Sequence, residues 1–153
     1  MKAALCVVTG HESHVAGLAK RLRAIDRMEC EAMGRSAGRA LCHGLAASAQ
    51  VWTVMVGGEP HAMFGVVVES AAAGDAIPWF LGSDLVARHG RAMIELGPAV
   101  ISAMHGHGAR LRNFVSSDNR QAIRLLERWG FSVEHEQVVM RGVAFRRFIR
   151  ESK

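Results

Sequence analysis

Asp118-Asn119-Arg120-Gln121-Ala122-Ile123-Arg124-Leu125-Leu126-Glu127-Arg128-Trp129-Gly130-Phe131 reads as a short amphipathic helix with both ends marked. Ser117 or Asp118 can cap the start, where a side-chain oxygen accepts from orphan N–H groups. Ala122, Leu125, Leu126 and Trp129 recur at helical spacing and form one apolar stripe. Arg120, Arg124, Glu127 and Arg128 line the wet side. Gly130 stands where a helix commonly ends in a left-handed residue, and Phe131 opens the next apolar strand.

Outward from this helix, apolar runs and turn residues mark the other elements. Leu111 to Ser116 is a strand before it; Phe131 to Met140 and Val143 to Ile149, turning at Gly142, are two strands after it. The clearest hairpin joins Val51–Val56 to Ala62–Glu69 through Gly57-Gly58, a tight-turn dipeptide. Ser70 to Asp75 is a small, polar loop, and Ala76 to Leu81 is a short strand interrupted by Pro78. Gly82-Ser83-Asp84 opens a long helical region reaching about Met104, with a break or kink expected at Gly97-Pro98. Nearer the start, Lys2 to Val8 is a strand and Thr9-Gly10-His11-Glu12 a capping box. Val15, Leu18, Leu22 and Ile25 form one face of a first helix, and Gly34 separates it from a second, about Ser36 to Ala47. The order β-α-α-β-β-β-α-β-α-β-β predicts one mixed α/β domain over residues 1–153.

The chain has 153 residues, half of them hydrophobic, enough for a sizeable core. No apolar run approaches the length that spans a bilayer, so no membrane role is expected. Cys6, Cys30 and Cys42 are widely spaced and odd in number, which argues for reduced thiols and a cytoplasmic setting. The net charge of +5 suits an anionic partner such as a phosphorylated cofactor. The basic residues are spread out apart from Arg141, Arg146, Arg147 and Arg150. Without a basic tract carrying interleaved aromatics, nucleic-acid binding is not expected.

Asn119, Ala122, Leu125, Gly130 and Phe131 together resemble the C-terminal signature of the GNAT superfamily of acyl-CoA-dependent N-acyltransferases. The element order is similar to that fold along nearly the whole chain. The resemblance implies an α/β, GNAT-like fold with a mixed, mostly antiparallel central sheet flanked by helices. It implies an N-acetyltransferase that uses acetyl-CoA (or CoA) as cofactor and transfers directly to a small-molecule or peptide amine; a homo-oligomer is compatible with it. The cofactor's pantetheine arm is then expected along Ile77–Leu81, with contacts at Phe80 and Leu81, on a strand that splays from its neighbour. Pro78 is tolerable in such a broken ladder, and equally in an edge strand or bulge.

By the same resemblance the pyrophosphate meets the start of the next helix, where free N–H groups and the dipole favour an anion. The family pattern there is Gln or Arg, two residues, Gly, one residue, Gly or Ala. This chain has Ala87-Arg88-His89-Gly90-Arg91-Ala92. Gly90 and Ala92 fit, Ala87 departs from the pattern, and Arg88 is displaced by one. The candidate cofactor contacts are therefore Arg88, His89, Gly90, Arg91 and Ala92, with Asn119 either a contact or a helix-start residue.

Direct transfer needs a base for the amine and an acid for the leaving thiolate. Many family members carry the acid as Tyr at the position of Leu126, and this chain has no tyrosine. Leu126 reads as core, and Ser116, Ser117, Cys and His remain as substitutes. Glu69 is the candidate base; a solvated strand-end Glu is the other reading. Catalysis is accordingly expected to be weak. His105-Gly106-His107 and His11-Glu12-Ser13-His14 lack a third ligand at metal-site spacing, so no metal is expected. Trp79-Phe80-Leu81-Gly82-Ser83-Asp84-Leu85, Leu111-Arg112-Asn113-Phe114-Val115, Asn119 and Trp129-Gly130-Phe131 also resemble a GNAT-like family of phage proteins that includes internal virion proteins. That implies a phage or prophage gene, partners among virion components, and a non-catalytic structural role as the alternative.

Overall fold

Strand parity decides how the sheet is covered. The structure, a computed structural model, describes residues 4–153; Lys2 and Ala3 of the first expected strand lie outside the described residues. Seven strands form one sheet, β1 (Leu5–Thr9), β2 (Gln50–Val56), β3 (Glu59–Ser70), β4 (Asp75–Gly82), β5 (Arg110–Ser116), β6 (Ser132–Met140) and β7 (Val143–Glu151), in the order β1-β2-β3-β4-β5-β7-β6. Every neighbour pair is antiparallel except β4 with β5. Side chains alternate between faces. Trp52, Val54, Phe64, Val66 and Phe80 meet α5 (Gly90–His105) and α6 (Arg120–Arg128) on one side. Val51, Met63, Trp79 and Leu81 meet α1 (Val15–Arg21) and α3 (Ala37–Ala47) on the other. Because both faces are covered, β3 is buried from His61 to Val66.

The Gly57-Gly58 hairpin forms as its sequence demands, with φ of 60° and 80°, the two positive angles of a type I′ turn. The expected Ser70–Asp75 loop is shorter, since β3 runs to Ser70 and β4 starts at Asp75. The expected first helix is two. α1 stops at Arg21 and α2 (Ala24–Ala32) begins after an extended Leu22. No local residue marks this break. Leu22 bridges to Ser83 and the Arg23 N–H donates to Gly82 O at 3.0 Å, so pairing with the end of β4 interrupts the helix. The expected capping box is displaced. Thr9 ends β1, and His11 with His14 closes a short 3-10 turn, Glu12–His14, by reciprocal side-chain bonds.

The long helical region also breaks elsewhere than expected. α4 (Asp84–Ala87), capped by Ser83, ends before α5, and α5 passes unbroken through Pro98. There Trp129 packs so closely on Gly97 that a Cβ would lie 2.5 Å from its Cδ1. Its indole Nε1–H donates to Met93 O at 3.0 Å. α6 is capped by Asn119 rather than by Ser117 or Asp118, with Asn119 Oδ1 accepting from Ala122 N at 3.3 Å. Within α6 the one buried residue is Ile123, while Ala122, Leu125 and Leu126 are half-buried. The apolar stripe therefore faces a cleft as well as the core. Gly130 has φ of 90°, as its place after the helix requires.

Candidate active site

The parallel ladder between β4 and β5 is two residues long. Asp75 pairs with Arg110 and Ala76 with Leu111, and the strands then part. Beyond that point Asn113 Nδ2 donates to Pro78 O at 2.8 Å. Pro78 O thus points toward β5, and the N–H that proline lacks belongs to the same broken side. Alternation gives the backbone of Phe80 and Gly82 the same direction. Ser83 confirms the parity, since its N–H turns back to His61 O on β3 at 2.8 Å. Phe80 thus presents free backbone groups to the gap, whereas Leu81 directs its own toward Met63 on β3.

Two cavities meet at this splay. One, of about 620 Å³, runs between the start of α5 and α6 and is lined by Val86, Gly90, Ile94, Arg124 and Arg128 among others. The other, of about 330 Å³, lies on the α2–α3 side and includes Asp26, Glu29, Met33, Arg35, His43 and Phe114. Arg23, Phe80, Ala122 and Leu125 line both. At the α5 start, the first helical bond runs from Met93 N to His89 O at 3.0 Å, which leaves the N–H groups of Gly90, Arg91 and Ala92 without intrahelical partners. A Cβ at Gly90 would meet nothing within 4 Å. Arg88 and Arg91 are exposed beside it, and His89 bonds Leu85 O through Nδ1 at 2.9 Å.

Where the cavities join, α2 delivers a polar chain. Arg23, just before α2, is followed at spacings of three by Asp26 and Glu29, which share one face of the helix. Asp26 Oδ2 accepts from Gly82 N at 2.8 Å, and Oδ1 accepts from Arg23 Nη2 at 2.8 Å. Arg23 Nη2 also donates to Asn119 Oδ1 at 3.0 Å, and Asn119 Nδ2 donates to Glu29 Oε1 at 2.5 Å. Burial pushes the Glu29 carboxyl up from 4.5 to about 7, against the Asn119 hydrogen bond and with help from the Asp26 charge. Burial raises Asp26 as well, opposed by Arg23. The Cys30 thiol is raised by burial to about 11, so it holds no thiolate near neutral pH.

Asn119 is buried and lines the α2–α3 cavity, where its side chain is shared between the helix cap, Arg23 and Glu29. Leu126 is half-buried and lines the same cavity. Glu69 lines neither cavity; it is exposed at the closed end of the β3–β4 hairpin, 3.8 Å from Arg112. The reading of the sequence missed Glu29, Asp26 and Arg23. Their common spacing was the available signal, but charges at that spacing usually mark a solvated helix face. The histidine pairs are engaged elsewhere: His14 with Thr53 Oγ1 at 2.8 Å, His105 with Gly108 O at 3.0 Å and His107 with Gln50 Oε1 at 3.0 Å. Among the described residues no group of three or more His, Cys, Asp or Glu is placed to hold a metal ion. No helix among them is long and apolar enough to cross a membrane.

Solved structures share this arrangement over whole chains. An acetyltransferase of the GNAT family from Streptococcus pneumoniae superposes with a TM-score of 0.66 over 98% of this chain and 100% of its own, at 12% identity. This chain has the GNAT acetyltransferase fold. A protein assigned as a phosphinothricin N-acetyltransferase gives a TM-score of 0.71 over 98% of this chain and 99% of its own, at 13% identity. An aminoglycoside acetyltransferase solved with acetyl-CoA gives 0.67 over 97% and 93%, at 17% identity. No protein-family model matches the sequence, and no curated protein matches it. The GNAT likeness is one of fold, and the expected mixed, mostly antiparallel sheet flanked by helices is the one observed.

Proposed function

We propose that this chain is an acyl-CoA-dependent N-acyltransferase that uses Glu29 as general base. The observation that carries the reading is the junction of the two cavities at the splay, with the Glu29 carboxyl held there by Asn119 and raised by burial. Structural neighbours were solved with acetyl-CoA or coenzyme A, and the residues here fit that group. Phe80 offers backbone hydrogen bonds in the splay. Gly90, Arg91 and Ala92 offer three N–H groups at the start of a 16-residue helix, with open space at Gly90 for close approach of a phosphate. Arg124 and Arg128 add positive charge to the cleft. Acyl-CoA, when bound, would supply an acyl group activated as a thioester.

An amine reaching the splay from the α2–α3 cavity meets Glu29. A base near neutral pKa balances the fraction ionised against its pull on the proton. Asn119 orients the carboxylate, and Arg23 anchors both Asn119 and Asp26. Cys30 is too basic to act as a nucleophile, which favours direct transfer over an acyl-cysteine route. Leu126 offers no proton, so turnover is slow rather than absent, since acid assistance contributes about 10²–10⁴-fold. A structural phage or virion role gives no use to a half-buried, proton-ready carboxyl at joined cavities. The test is a melting titration with acetyl-CoA beside a thiol-release assay over a panel of amines. At 100 times its dissociation constant the cofactor stabilises the fold by about 2.7 kcal/mol. Unchanged melting at millimolar acetyl-CoA overturns the reading.

A further inference from the structure

The α2–α3 cavity has a carboxyl floor and a basic rim. Glu29 and Asp26 lie within it, and exposed Arg35 and His43 line its edge. Arg141, on the β6–β7 turn, does not line the cavity but packs beside it: its Nη2 would lie 3.2 Å from a Cβ on Gly34. Gly34 sits between Met33 and Arg35, which both line the cavity. Among the described residues, no carboxylate comes within 4.0 Å of the guanidinium of Arg35 or Arg141. The other arginines of the C-terminal cluster have structural employment. Arg146 donates to the carbonyls of Glu134 and Val133 at the β6 bulge, Arg147 pairs with the Glu134 carboxylate at 2.7 Å, and Arg150 donates to Trp129 O.

Arg141 is also under strain. It is the one non-glycine among the described residues with positive φ, 49°, in a turn whose next residue is Gly142 at 80°. Such turns favour Asn or Gly at this place. A side chain without structural partners, carried on a backbone conformation that disfavours it, points to a use for that side chain.

Resting on the transferase reading, we propose that the acceptor is a small amino-acid-like amine: an apolar body carrying an amine and an anionic group, carboxylate or phosphorus oxyanion. Arg35 and Arg141 hold the anion, Met33, Trp79 and Phe114 pack the apolar body, and the amine reaches Glu29. There the nitrogen bonds to the acyl carbon, its proton passes to Glu29, and sulfur leaves with the electron pair of the broken C–S bond. A polyamine would meet guanidinium groups at the mouth instead of acids.

The first test is heat titration of the full chain with N-acetylmethionine, a product-like anion, and with its carboxamide. The acid is expected to bind roughly tenfold tighter or more, as a charge-assisted hydrogen bond contributes. Arg35→Ala and Arg141→Gly are each expected to remove most of that preference. Arg141→Gly also relieves the strained angle, so it folds. Equal affinity for acid and amide, or an unaltered preference in Arg141→Gly, overturns the proposal. The second test is thiol release with methionine, its α-aminophosphonate counterpart and spermidine. The proposal expects turnover from one or both anions and identifies which; faster turnover of spermidine overturns it. Anion-selective binding with acetyl-CoA bound but no release from any amine overturns the transferase reading instead and leaves the anion site standing.

Discussion

Glu29→Gln separates the chemical role of this residue from its structural cost. Burial holds the Glu29 carboxyl at about 7 against an ordinary 4.5. At about 1.4 kcal/mol for each tenfold change in proton affinity, keeping it charged in the fold costs roughly 3 kcal/mol. The sign follows from proton counting. Between pH 4.5 and 7 the folded chain holds a proton that the unfolded chain has released, so stability falls as pH rises through this window. Gln keeps the shape and can still accept from Asn119 Nδ2, but it carries no charge. The variant is therefore expected to match the parent near pH 4 and to exceed it by up to about 3 kcal/mol at pH 8. For a chain of this size that is on the order of 5–10 °C in melting temperature. Its acetyl-CoA-induced melting shift should be unchanged, while turnover at pH 8 falls by about 10²–10⁴-fold. Parent and variant melting together at pH 8 would refute the buried-carboxyl argument. Full activity in a stabilised variant would refute the assignment of the base.

Gly90→Val is expected to change stability by about 0.5 kcal/mol or less, since the new side chain meets no protein atom within 4 Å; its acetyl-CoA melting shift should shrink or vanish. Asn119→Ala removes the α6 cap at a cost of about 1 kcal/mol. It also frees Glu29 from the hydrogen bond that lowers its pKa, so the base limb of the pH–rate profile should move to higher pH. Gly97→Ala places a Cβ 2.5 Å from Trp129; chemical denaturation should show a loss of about 1–3 kcal/mol from overpacking.

The helices and strands of the outer fold were legible because their signals are local. Gly57-Gly58 dictates a hairpin by its positive φ angles, and Gly130 stops α6 in the same way. Alternating apolar residues assign β2 and β3 to a sheet without reference to what covers them. The cap of α6 was read one or two residues early, because Ser117, Asp118 and Asn119 are all good caps and tertiary partners decide among them. Asn119 prevails because its far end meets Arg23 and Glu29 from α2. The α5 start was misjudged for a similar reason. Gly97-Pro98 is the stronger local break signal, but Trp129 supports the helix there, and the actual interruption falls at Arg88-His89.

The proposed base was illegible because the element that carries it exists only in the folded chain. Leu22 and Arg23 carry no glycine, proline or capping signal, and their apolar spacing continues that of the helix before them. The end of β4 extracts them by pairing with Leu22 and Arg23. That pairing starts α2 at a new angle, and its first turn then brings Asp26 to Gly82 N. One turn later Glu29 arrives beside the splay and loses water. The same event thus makes the cavity wall and perturbs the group within it. A solvated helix would leave Glu29 an ordinary carboxylate, too weak a base for an amine. The fold sustains an unfavourable burial here, and Arg23 and Asn119 limit its cost without removing it. On the proposed reading, chemistry uses the poised proton, and the α1–α2 break that brings Glu29 to the splay bears on activity more than the α6 signature does.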